Sequence, residues 1–151
     1  MSETSANSRL YPARPLLAVS VACFRDGKVL LTTRTRPPAL GALTLPGGLV
    51  EPGERLTEAA LRELREEVEV EAEIVGFNGH AERIDRDGEG RVKHHYVITS
   101  FVARWLSGEP QPGAEAGEIV WADPHALEGL PLTDGLRALL RRAATMLEST
   151  R

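Results

Sequence analysis

The sequence predicts a mixed α/β domain built around a single core. Three observations lead there. Apolar and β-branched runs of strand length come mostly in pairs joined by turn residues. Two longer stretches place apolar residues at helical spacing. The order of these elements is hairpin, broken loop, helix, hairpin, strand, helix, which lacks the regular strand–helix alternation of a parallel sheet. A chain of 151 residues suits one hydrophobic core.

Each element has its own signal. Residues 16–24 (LLAVSVACF) and 28–34 (KVLLTTR) flank Asp26-Gly27, and together they read as a β-hairpin. Pro37-Pro38, Gly41, Pro46, Gly47 and Gly48 then interrupt regular structure, with room for short strands at 43–45 and 49–50. From Thr57 to about Glu69 the spacing is helical. Thr57 is placed to cap the N-terminus, Glu58 suits the positive end of the helix dipole, and Ala60, Leu61, Leu64 and Val68 make the apolar face. Residues 72–84 and 92–105 are strand-like, with the polar stretch 85–91 (DRDGEGR) between them as a hairpin loop. Residues 118–121 form a short strand, and 132–147 a closing helix with Leu136, Leu139, Leu140 and Leu147 inward. Residues 1–14 read as a flexible polar tail and 15–151 as the domain.

Composition excludes several classes. The formal charge is −4, so no basic surplus suits a nucleic-acid polymer. The single cysteine, Cys23, rules out a disulfide framework or a cysteine-rich zinc site, and reads as a buried strand thiol. No apolar stretch approaches the roughly 18 residues of a membrane span, and the polar N-terminus lacks the apolar core of a secretory signal. The expected compartment is the cytoplasm.

Chemistry concentrates in residues 48–70 (GLVEPGERLTEAALRELREEVEV). Glu63, Glu66 and Glu67 fall within an arc of roughly 100° on the helix, beside the apolar stripe. Like charges so placed repel by a few tenths of a kcal/mol per pair. A hard divalent cation would remove the conflict, since magnesium takes oxygen ligands and bridges carboxylates to phosphates. The plain alternative is a solvated acidic face, because nine of the 23 residues from 51 to 73 are glutamate.

The surrounding residues narrow the choice. The segment resembles the Nudix box, Gx5Ex7REUxEExGU with U a bulky aliphatic residue, through Gly48, Glu54, Arg62-Glu63, Leu64, Glu66-Glu67 and Val70. Pro46-Gly47 also fits the family's LPGG entry. Two positions depart: Glu69 stands where the box has glycine, and Leu43 where many members carry tryptophan. Glu69 implies either a strained left-handed residue or a slightly longer helix, and is not counted among the ligands.

The resemblance implies a Nudix-type α/β/α sandwich with a mixed sheet, and a magnesium-dependent hydrolase, with manganese as a substitute. Glu63, Glu66 and Glu67, with the backbone carbonyl of Gly47, would hold the metal. Glu54 and Arg62 would support the catalytic helix and its loop. A carboxylate must take a proton from water; the box glutamates, Glu66 among them, and the loop 109–118 both offer one, and Glu115 fits best in the loop, with Glu118 second. Arg34 and Arg36 could grip phosphate as bidentate donors. Tyr96, beside His94 and His95, could contact a base. The closing segment from Glu118 to Pro124 resembles the ADP-ribose pyrophosphatase-like branch. The expected substrate is therefore a nucleoside diphosphate linked to another group, releasing a nucleoside monophosphate. A nucleoside triphosphate pyrophosphohydrolase and a non-catalytic nucleotide-sensing module are the alternatives. Family members are often homodimers.

Overall fold

The computed structural model describes residues 9–37, 39–113 and 116–150. Among them, seven strands form one mixed sheet: β1 (Leu16–Arg25), β2 (Lys28–Thr33), β3 (Leu43–Thr44), β4 (Gly47–Leu49), β5 (Glu71–Arg86), β6 (Val92–Ser107) and β7 (Ile119–Ala122). Two helices accompany it, α1 (Leu56–Val68) and α2 (Leu136–Ser149).

Alternation along β1 sends residues to opposite faces, and each face meets one helix. Val19, Val21 and Cys23, with Leu30 of β2, pack against Ala59, Ala60, Leu64 and Val68 of α1. Ala22 and Phe24, with Val29 and Leu31, pack against Leu136, Leu140, Ala143 and Leu147 of α2. The result is the expected α/β/α sandwich. Cys23 is fully buried and burial pushes its thiol up to about 12, so it is inert core.

The sheet's pairing creates the functional geometry. β1 and β2 are joined at Asp26-Gly27, but only Phe24↔Val29 and Arg25↔Lys28 pair between them. Beyond that the strands diverge. β1 takes β4 as partner through Ala18↔Leu49 and Ser20↔Gly47, while β2 takes β3 through Thr32↔Thr44. On its other edge β1 runs parallel to β6, from Leu16↔Tyr96 to Phe24↔Arg104, and β6 carries β5 antiparallel. A fork therefore opens between β1 and β2, lined by short strands on either side.

Several boundaries differ from the sequence reading. The helix α1 is capped at Arg55, not Thr57. Glu58 reaches back to accept the Arg55 N–H at 3.0 Å, so it closes the first turn two residues earlier than expected. The closing helix begins at Leu136, not 132. Leu132 is held in a bridge to Leu43, with Leu43 N donating to Pro131 O at 2.7 Å and Thr133 N to Leu43 O at 3.0 Å, so these residues extend the sheet instead. At the end of α1, Glu69 is left-handed, with φ 60° and ψ 37°. The longer-helix alternative is thus excluded. In the N-terminal segment, Tyr11 is tied to the β5–β6 hairpin: its N–H donates to Lys93 O and its hydroxyl to Asp87, both at 2.9 Å. No helix among the described residues is long and apolar enough to cross a membrane.

Candidate active site

The box residues meet where α1 crosses β4. The backbone here is close-packed by necessity. A Cβ on Gly47 would sit 2.1 Å from the carbonyl oxygen of Val19, and one on Gly48 would sit 2.6 Å from the Glu63 carboxylate. At Gly47 the obstacle is backbone, so only glycine lets the chain pass beside β1; at Gly48 it is the end of a side chain. Gly47 N donates to Glu67 Oε2 at 2.8 Å, fixing that carboxylate against β4.

Arg62 is the hub. Its guanidinium forms a fork–fork pair with Glu54, Nε to Oε2 at 2.5 Å and Nη2 to Oε1 at 2.9 Å. Nη2 also donates to the Leu49 carbonyl at 3.0 Å, and Nη1 reaches Glu63 at 2.8 Å and Glu66 at 3.1 Å. One side chain therefore joins the loop before α1, strand β4 and two α1 carboxylates. These contacts are screened unequally: the side chains of Arg62, Glu54 and Glu63 are 17%, 14% and 13% exposed, whereas Glu66 is 62% exposed. The hydrogen bonds from Arg62, then that from Glu51 N, hold the Glu54 carboxyl down at about 2. Arg62 in turn is held still more firmly in its charged form, chiefly by Glu54 and then by Glu63.

Glu51, Glu63, Glu66 and Glu67 line one cleft of about 600 Å³, which also holds Arg62 and Arg9. Among the described residues no three acidic, histidine or cysteine side chains converge on one point as a metal-holding cluster. Arg62 occupies Glu63 and Glu66, and Glu67 turns to Gly47. The donors are all carboxylates on one wall, which fits a hard, largely hydrated cation better than a dedicated protein cage.

A second cleft, of about 340 Å³, lies in the fork between β1 and β2 and shares Leu49, Glu67 and Arg9 with the first. The predicted Arg34, Arg36 and Tyr96 all line it, and so does Arg83 of β5. Sequence reasoning missed Arg83. It lies next to the 85–91 loop in an alternating strand, and nothing local marks it. Only the pairing of Arg83 with Tyr96, and of Tyr96 with Leu16, brings it to the fork. Arg83 Nε pairs with Asp85 at 3.3 Å, and His94 Nδ1 lies 3.2 Å from the same carboxylate oxygen. His94 stacks on Tyr96 with ring centroids 6.1 Å apart, as their shared face in β6 leads one to expect. Burial, and next the charge of Arg83, work against the charged form of Arg34.

Glu115 lies outside the described residues. Its flanks are placed: Gln111 N donates to Val68 O, Gly113 lines the acidic cleft, and Gly117 N donates to Thr33 O. Glu118 follows immediately, its N–H donating to Thr33 Oγ1.

The profile of the NUDIX domain matches residues 14–143 of the chain. The ADP-ribose pyrophosphatase of Methanocaldococcus jannaschii is 35% identical over 122 residues, covering 81% of this chain and 69% of that protein. The CTP pyrophosphohydrolase of Escherichia coli is 32% identical over 117 residues, 76% of this chain and 80% of that protein. Among solved structures, a MutT NUDIX hydrolase from Burkholderia pseudomallei superposes with a TM-score of 0.69 at 30% identity, over 85% of this chain and 98% of that one.

Proposed function

The chain belongs to the Nudix hydrolase family, and from that premise we propose that it is a magnesium-dependent enzyme acting on a nucleoside diphosphate linked to another moiety, with an ADP-ribose-like substrate favoured. It opens the phosphoanhydride and releases a nucleoside monophosphate. The observation that carries this reading is the junction of two clefts of opposite character across Glu67, one walled by carboxylates and one by arginines. A diphosphate with a group on each side spans such a junction. The likeness to the ADP-ribose pyrophosphatase and the segment from Glu118 to Pro124 support the choice of substrate. The relative named for CTP makes a nucleoside triphosphate the alternative substrate.

Glu63, Glu66 and Glu67, with the Gly47 carbonyl, would hold magnesium, and manganese could replace it. When bound, such a cation neutralises phosphate charge and activates water. The chain's own residues do the rest. Arg62 keeps Glu63 and Glu66 oriented and braces α1 on Glu54. Glu66, the most exposed of the box carboxylates joined to Arg62, takes the proton from water, or Glu115 does so from the loop. Arg34, Arg36 and Tyr96 position the substrate in the fork.

A panel of nucleotide derivatives, incubated with magnesium in ¹⁸O-labelled water, tests this. ADP-ribose should yield AMP and ribose 5-phosphate, with label in one of them. Turnover confined to triphosphates, releasing pyrophosphate, would replace the favoured substrate by the alternative.

A further inference from the structure

Among the described residues, three line both clefts: Leu49, Glu67 and Arg9. Leu49 and Glu67 belong to β4 and α1, whose packing fixes them. Arg9 belongs to the segment before β1, in no strand or helix. Its place at the junction must come from another anchor, and Tyr11, two residues on, supplies one. The Tyr11 N–H donates to Lys93 O and its hydroxyl to Asp87 Oδ2, both at 2.9 Å, and the Arg91 guanidinium lies 4.7 Å from the centre of its ring. Asp87 is itself fixed, because its other oxygen accepts from Glu89 N at 2.9 Å and from Arg91 N at 3.0 Å. The tip of the β5–β6 hairpin is thus a preformed socket for one tyrosine.

The backbone at Tyr11 bears the mark of that capture. Its φ is 48°, in the left-handed region that a side chain disfavours, and Pro12 narrows its choice further. A tyrosine keeps such a conformation where the surrounding contacts determine it. Tyr11 is 45% exposed, so burial in a core does not hold it there; the socket does. Resting on the hydrolase reading above, we propose that Tyr11 is a positioning residue: the hairpin tip captures it so that residues 9–11 form a strap whose Arg9 walls the junction of the two clefts. The strap favours ligands that cross the junction, such as a nucleoside diphosphate with a group beyond its second phosphate. Ligands that reach the junction from one side, such as a nucleoside monophosphate, gain little from it.

Two measurements on the whole chain test this. Trypsin cleavage after Arg9, followed by mass spectrometry without any ligand, reads the latch. Tyr11→Ala should be cut there at least about fivefold faster than wild type, the range of the exposed cation–π contact and hydrogen bond it removes. Calorimetric titration in magnesium, with α,β-methylene-ADP-ribose and with AMP, reads the junction. Tyr11→Ala should weaken the analogue by about the same factor and AMP by less than about twofold, and in an Arg9→Ala background it should add nothing. Tyr11→Phe, which keeps the ring beneath Arg91, should move both readings the same way by a smaller factor. On ADP-ribose the loss should appear in KM more than in kcat. Unchanged cleavage after Arg9 would overturn the latch. An unchanged affinity for the analogue, an equal loss for AMP, additive losses with Arg9→Ala, or no binding of the analogue by the wild type at millimolar concentration would each overturn the strap's part in the site. Wild-type binding of the analogue without turnover of any nucleotide derivative would remove the hydrolase reading and leave the strap standing.

Discussion

Arg62 and Glu54, eight residues apart, form a fork–fork ion pair in which Nε and Nη2 of the arginine meet the two carboxylate oxygens. The pair joins the loop before α1 to the helix that carries the proposed metal ligands, and it has a pH signature. The folded carboxyl is held at about 2, below its ordinary 4.5. A depressed acid contributes stability above the unfolded value and loses it as pH falls through the folded one. The melting temperature of the wild type should therefore decline between pH 4.5 and 2 more steeply than that of Glu54→Gln. Parallel curves for the two proteins would contradict the assignment.

Glu67→Gln should lower kcat at saturating magnesium by at least about 100-fold, a loss of roughly 2.7 kcal/mol in transition-state stabilisation. The fold should survive, because the amide oxygen can still accept the Gly47 N–H. Without metal the variant should melt no lower than wild type, since one like charge has left the α1 wall. Steady-state kinetics and a melting curve check both halves, and a near-normal kcat would remove Glu67 from the essential set.

The two glycines should respond differently to alanine. At Gly47 the new methyl would meet the backbone oxygen of Val19, which cannot yield without breaking the β1–β4 ladder, so the protein should lose about 2 kcal/mol or more of stability. At Gly48 it would meet only the end of the Glu63 side chain, which can swing away. Gly48→Ala should thus fold well and lose activity. Denaturant melts paired with kcat/KM values distinguish the two, and reversed results would contradict the packing described.

Glu69→Gly should stabilise the protein by up to about 1 kcal/mol, because the residue is left-handed and glycine adopts that conformation freely. Its kcat should change less than about threefold. A hundredfold drop in a folded protein would show that this glutamate takes part in the chemistry.

The site was legible in the sequence where its logic is local. The box spacing places Glu54, Arg62, Glu63, Glu66 and Glu67 on one loop and one helix, and in the structure the Arg62 guanidinium joins Glu54, Glu63 and Glu66 while Glu67 accepts from Gly47 N. The sequence offers Arg34 and Arg36 as phosphate grips and Tyr96 as a base contact, and all three line the fork. Arg83 was not, because its place depends on which strands pair across the sheet. The start of α2 was misread for a similar reason: Leu132 has helical spacing with the leucines that follow, but a bridge to Leu43 holds it in the sheet. The cap of α1 shifted because Glu58 can satisfy the Arg55 N–H.

The most direct test of the account is AMP release from ADP-ribose, measured after exhaustive metal removal and then during titration with Mg²⁺. Without a cation, Glu63 and Glu66 share Nη1 of Arg62 and Glu67 accepts from Gly47 N, and nothing supplies the charge that activates water, so the chain alone should be inactive. Magnesium, or manganese in its place, should restore AMP release saturably. Undiminished release in excess chelator, or no release at any cation concentration, would contradict the assignment of a cation-dependent ADP-ribose hydrolase.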